Sequence, residues 1–185
     1  MSFDYLLSRL PSIVFTLSSN ASGSFGMAGV QLFNKAHSLY PGYKGLFWQC
    51  SWEEWEKIVS ITHLIPGQVM INVAEFLAAL ITIETFAPDC ANKLTYLELD
   101  NSSAHSWLRS DRCPTYPFDR CAQGTHLHML AMNMKIVSRW IPTGENKVAD
   151  MCSRKRILNG PLGHEVKGLR LLKVRPRWLN VLKYT

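Results

Sequence analysis

From Asn72 to Phe86 the chain reads NVAEFLAALITIETF, with apolar residues at Val73, Phe76, Leu77, Leu80 and Ile81. Spacings of three, four, seven and eight predict a helix that buries one face, with Asn72 suited to its N-cap and Pro88 marking its end. What surrounds this helix reads differently. Ile13 to Leu17 is β-branched and aromatic, Met27 to Phe33 follows glycines 23 and 26, and Gly45 to Trp52 is GLFWQCSW. These three runs predict an antiparallel meander. After the helix, LTYLEL (Leu94 to Leu99) predicts a fourth strand, and Asp100-Asn101 leads into SSAHSWL, a short helix capped by the Asn-Ser pair. Phe118 to Met134 predicts a helix with Leu127, Leu130, Ala131 and Met134 on one face. Lys135 to Ile141 predicts a strand closed by Pro142 and Gly144, and Asn146 to Arg154 a last helix. The order is βββ, α, β, α, α, β, α, an α/β pattern.

With 185 residues and 47% apolar content, the chain suffices for one core of ordinary domain size. Its longest uncharged apolar stretch, around Ile58 to Ala74, is interrupted by His63, Pro66-Gly67 and Asn72, so neither a membrane span nor a signal peptide is expected. Five scattered cysteines without a CxxC pair point to reduced thiols. An intracellular chain, cytoplasmic or nuclear and not secreted, is expected. Cys113, Cys121, His126 and His128 match no common zinc spacing. Trp48, Trp52, Trp55, Trp107 and Trp140 are read as packing residues rather than stacking platforms.

The net charge of +6 is uneven. Arg154 to Thr185 holds nine Lys and Arg against one Glu, a balance of +8, while the preceding 153 residues hold eleven against thirteen, a balance of −2. Such a terminus suits a polyanion, since each phosphate neutralised releases a counterion; a solvated tail or linker fits the same composition.

Three carboxylates stand near element ends: Glu75 early in the first long helix, Asp100 after the fourth strand, and Asp150 in the last helix. In an open α/β sheet, groups beyond the strand ends can converge on one spot. Each also has a structural role open to it, as a dipole-favoured acid, a cap or a solvated side chain.

The residues around these acids, INVAEFLAAL, LELDNSSAHSWL and WIPTGENKVADMCSR, resemble segments of ribonuclease H-like domains in retroelement reverse transcriptase polyproteins, notably the DIRS-like group. The resemblance covers about residues 13 to 156, with WIPTGENKVADMCSR its most specific piece. It implies a ribonuclease H-like fold, a mixed five-stranded sheet flanked by helices, over residues 12–156, followed by a basic extension over 157–185. It also implies Mg²⁺-dependent, two-metal hydrolysis of the RNA strand of an RNA·DNA hybrid, with Mn²⁺ an alternative ion and Glu75, Asp100 and Asp150 as catalytic metal ligands. Ser22, Asn101 and Ser102 are the candidate hybrid contacts, and Arg154 and Lys155 the candidate phosphate contacts. Reverse transcriptase or recombinase domains of the same element are the implied protein partners.

One position departs from the pattern. Such domains carry DAS at the end of the first strand, where the Asp resembles the ligand shared by both metals, and this chain has Asn20-Ala21-Ser22. An Asn carbonyl can coordinate a metal, but it brings no charge and bridges two cations poorly. Losing a transition-state contact of ~3–5 kcal/mol costs on the order of 10²–10⁴ in rate. A decayed or repurposed domain, a deliberate inactivating substitution, and a slow reaction sustained by Ser18, Ser19 and a water all accommodate Asn20. The loop Thr143 to Asn146 also lacks the histidine many cellular ribonucleases H carry there, and His105 and His164 are poor substitutes. Two functions follow as expectations: a nuclease weakened or inactivated at Asn20, or a non-catalytic module of the same fold that binds nucleic acid or scaffolds a polymerase.

Overall fold

The computed structural model describes residues 14–59, 68–116, 118–154 and 168–174. Strands β1 (Val14–Ala21), β2 (Gly26–Leu32) and β3 (Gly45–Ser51) form the expected antiparallel meander. On the other side of β1, β4 (Leu94–Leu99) pairs in parallel, and β5 (Lys135–Trp140) pairs in parallel with β4. A sixth strand, β6 (Leu169–Leu171), adds in parallel to the free edge of β3, giving the order β5-β4-β1-β2-β3-β6. The sheet therefore has six strands rather than the five expected, the extra one contributed by the basic C-terminal stretch. Three residues carry too little periodicity to announce a strand.

Among the described residues five helices flank the sheet: α1 (Trp52–Val59), α2 (Gln68–Cys90), α3 (Ser102–Ser110), α4 (Phe118–Ala131) and α5 (Lys147–Arg154). The sequence pattern did not anticipate α1. Helix α2 starts earlier than expected, so Asn72 lies inside it rather than capping it, and Glu75 stands in its second turn. Pro88 sits within the last turn instead of ending the helix. By length and composition α2 could cross a bilayer, but it is the buried core helix of this sheet.

Strands β2 and β3 are buried on both faces because each face is covered. Leu17, Ala21, Met27, Leu46, Trp48, Leu97 and Leu99 pack beneath Phe76, Leu77, Leu80 and Ile81 of α2. On the reverse face Ala28, Val30 and Phe47 meet Ala149 and Cys152 of α5. Gly29 lets α2 come close: a Cβ there would collide with the Thr82 hydroxyl and the Trp48 indole, which hydrogen-bond each other at 3.1 Å. Trp48 and Trp55 are buried as packing residues, whereas Trp140 is exposed. All five cysteines are free and buried.

The face of α4 is the opposite of the expected one. Phe118, Cys121, Ala122, Thr125 and His128 are buried, and Leu127 and Leu130 face outward. The cause lies on α2: Glu84 is buried there, and His128 meets it with Nδ1 2.7 Å from Oε2. A buried carboxylate requires a polar partner, and that requirement turns the helix.

Candidate functional site

The candidate site forms where the C-terminal ends of β1 and β4 meet the start of α5. Asn20, second from last in β1, points to the α5 face of the sheet, and Asp100 follows the last residue of β4. The Asn20 amide donates Nδ2–H to Asp100 Oδ1 at 3.1 Å, and its Oδ1 accepts the Ser153 hydroxyl at 2.8 Å. Asn146, just before α5, donates Nδ2–H to the Ser19 carbonyl at 2.9 Å and to Asp100 Oδ1 at 3.3 Å. The exposed Trp140 indole donates to the Asp100 carbonyl at 3.2 Å. Asp100 thus receives two side-chain amides on one carboxylate oxygen.

Glu75 enters from the opposite face of the sheet. It is buried, and that desolvation raises its carboxyl to about 8, against a restraining hydrogen bond from the Ala21 backbone. The charges of Asp100 and Asp150 push it in the same upward direction. Its Oε2 has no hydrogen-bond partner. Asp150, in the first turn of α5, is held by Arg154, whose Nε lies 2.8 Å from both carboxylate oxygens and whose Nη2 lies 2.7 Å from Oδ1. The four positions therefore gather around the end of β1, each already engaged in its own way.

The expected substrate contacts are distributed around this centre. Ser22 is buried and its hydroxyl donates to the Ser153 carbonyl at 2.6 Å, fastening β1 to α5. Asn101 caps α3 by accepting the Ala104 N–H at 2.9 Å, and its amide donates to Asn72 Oδ1 at 2.8 Å. Ser102 opens α3 and is exposed. Arg154 is largely exposed beside Asp150, and Lys155 lies outside the described residues, as do Arg156 and His164.

The arrangement does not fit a pair of divalent ions as it stands. Among the described residues, no three of His, Cys, Asp and Glu are placed to hold a metal. Asp100 faces amide N–H groups where a two-metal centre needs oxygen ligands, and the Asp150 carboxylate is closed by Arg154. Thiol chemistry is equally disfavoured, because burial pushes Cys90 up to about 11 and Cys121 and Cys152 up to about 12.

Asn146, Ser153 and Trp140 are the site residues that sequence reasoning passed over. Asn146 and Ser153 both lie within WIPTGENKVADMCSR, so their positions were marked while their hydrogen bonds to Asn20 and Asp100 were not.

No protein-family model matches the chain, and no curated protein does either. Among solved structures, the chain is similar to ribonuclease H1 from the halophilic archaeon Halobacterium salinarum NRC-1, with 14% identity, a TM-score of 0.49, and coverage of 76% of this chain and 94% of that one. It is also similar to LC11-RNase H1, isolated from compost by a metagenomic approach, at 14% identity and a TM-score of 0.44, over 75% of this chain and 90% of that one. A third is the N-terminal RNase H domain of rv2228c from Mycobacterium tuberculosis, at 13% identity and a TM-score of 0.43, over 76% of this chain and 95% of that one. LC11-RNase H1 has also been solved in complex with an RNA/DNA hybrid. The pairing of this chain's own strands gives an α/β fold, a mixed sheet flanked by helices.

Proposed function

We propose that this chain is a retroelement-derived ribonuclease H-like domain that binds RNA·DNA hybrids and in which hydrolysis of the RNA strand is suppressed at Asn20. The observation that carries the reading is the Asn20 side chain, which bridges Asp100 and Ser153 at the point where Glu75, Asp100 and Asp150 gather. An Asp there would set like charges against Asp100 and require cations to separate them. The amide instead supplies a donor, so Asp100 is satisfied by neighbouring side chains. Ser102, Asn101 and Arg154 border the site and supply hydroxyl, amide and guanidinium groups suited to sugar and phosphate.

A second reading, an attenuated Mg²⁺- or Mn²⁺-dependent nuclease, is favoured by the retention of three carboxylates and by the unpartnered Glu75 Oε2. One experiment covers both. A labelled RNA·DNA hybrid is incubated in Mg²⁺ and in Mn²⁺ with the native chain, with Asn20→Asp, and with Asn20→Asp combined with Asp100→Asn. The proposal expects binding without appreciable cleavage by the native chain, cleavage by Asn20→Asp, and none by the double variant. Cleavage by the native chain at a rate near that of Asn20→Asp would reject suppression at this residue. Absence of hybrid binding by a folded native chain would reject the function altogether.

A further inference from the structure

A second surface lies at the opposite end of the β2–β3 hairpin from Asn20. Asn20 pairs with Ala28 and Ala21 with Met27 at one end, while Leu32 pairs with Gly45 at the other. Five residues of strand separate Met27 from Leu32, about 17 Å. From Gln31 to Ser51 the sequence contains no Asp or Glu, and neither does Gly168 to Val174. The two segments are brought together by backbone: Lys44 N–H donates to the Gly168 carbonyl at 2.9 Å, and Leu172 N–H to the Phe47 carbonyl at 2.7 Å. That pairing sets Lys44 beside Gly168, two residues before Arg170, and the same two segments carry Lys35 and Lys173; all four cations are exposed.

Arg170 is held in an unusual way for an exposed cation. Its guanidinium carbon lies 5.2 Å from the Tyr40 ring centroid and 5.8 Å from that of Tyr43. Tyr40 in turn belongs to an aromatic group with Phe33 and His37, in which Phe33 and His37 stack at 4.5 Å. None of the four cations forms an ion pair with a carboxylate among the described residues; the nearby Asp89 lies 3.8 Å from His37. Aromatic rings fix a guanidinium through its faces and leave its N–H edge available, the geometry suited to a phosphate.

We infer that Lys35, Lys44, Arg170 and Lys173 form a phosphate-backbone contact for nucleic acid, separate from the candidate site. Charge complementarity selects the occupant: four unpaired cations with no acid in either segment suit a repeating anion, and the sequence continues with Arg175, Arg177 and Lys183. Contacts of this kind read backbone and not bases, so the surface holds a strand without regard to its sequence.

The test is binding of a fluorescein-labelled 12-base-pair RNA·DNA hybrid and of a 12-nucleotide single strand, over a range of salt concentrations. The full chain is compared with Lys35→Glu/Lys44→Glu/Lys173→Glu and with Arg170→Gln. The three lysines are exposed, so the triple variant should keep close to the native melting temperature. Its affinity falls by about tenfold or more, and the slope of log affinity against log salt becomes shallower by about 2–3. Arg170→Gln falls by less, in the same direction. An unchanged affinity and slope in the triple variant would overturn the inference. So would preferential binding of phosphatidylserine vesicles over both oligonucleotides, which would make the surface a membrane contact. Cleavage by Asn20→Asp is measured in parallel. If it cuts while the triple variant binds normally, this inference fails and the proposed function stands; if it never cuts but the triple variant loses binding, the reverse holds.

Discussion

Glu75 and Glu84 are nine residues apart on α2, and both are buried, yet the protein treats them differently. Glu84 faces α4 and meets His128 at 2.7 Å. Glu75 faces the end of β1 with the Ala21 backbone for support, and each glutamate leaves one oxygen, Glu75 Oε2 and Glu84 Oε1, without a partner. One carboxylate is matched by a side chain inside the fold, and the other is held at the candidate site with a strong preference for its proton. Burial alone therefore does not identify a functional acid. What sets Glu75 apart is a backbone partner in place of a side chain, with two further acids nearby.

Breaking the matched pair gives the largest effect. His128→Ala leaves Glu84 buried and uncompensated, and should cost about 3–5 kcal/mol in urea or thermal unfolding. If the loss is below about 1 kcal/mol, the contrast between the two glutamates is not energetic.

Glu75 predicts a pH dependence instead. Unfolded, its carboxyl titrates near the usual 4.5, and folded it titrates at about 8. Between these values the folded state retains a proton that the unfolded state has released, so this group's contribution to stability falls as pH rises through the window. The change is on the order of a few kcal/mol across the window, and Glu75→Gln should flatten it, as measured by chemical denaturation at a series of pH values. An equal slope in Glu75→Gln would assign the dependence elsewhere.

Asn20→Asp sharpens the same contrast by removing a donor from Asp100 and adding a like charge. In the presence of EDTA it should destabilise by about 1–3 kcal/mol. Added Mg²⁺ should recover much of that loss, as read by melting temperature. The native chain, already satisfied by amides, should shift little with Mg²⁺. The smallest effect belongs to Trp140→Phe, which removes only the exposed indole hydrogen bond to the Asp100 carbonyl and should cost under about 1 kcal/mol.

Hydrophobic period made the meander, α2 and β4 legible, because those elements meet neighbours through strongly apolar faces. It also placed Glu75, Asp100 and Asp150 near element ends, whereas the expectation that they meet Asn20 came from the resemblance of the surrounding segments. It misread α4, where Leu127 and Leu130 drew the inward face although His128 was needed inside to answer Glu84. Hydropathy cannot register a requirement imposed by a charge 44 residues away. The amide network had the same character: Asn146 and Ser153 acquire their roles only from Ser19, Asn20 and Asp100. The three-residue β6 was too short to stand out, and it exists as a strand because the edge of β3 is there to receive it.

The fastening of β1 by α5 also bears on the order in which the chain can fold as it is made. Ser22 bonds to Ser153 across 131 residues, and Asn20 to the same serine across 133. Synthesis from the N-terminus delivers the meander first, with its α5 face bare and the Asn20 amide lacking its hydroxyl donor. Only when Ser153 has emerged from the ribosome can that face close. Until then Ala28, Val30 and Phe47 remain an apolar surface on the nascent chain, an opportunity for chaperones and the period of greatest exposure to aggregation.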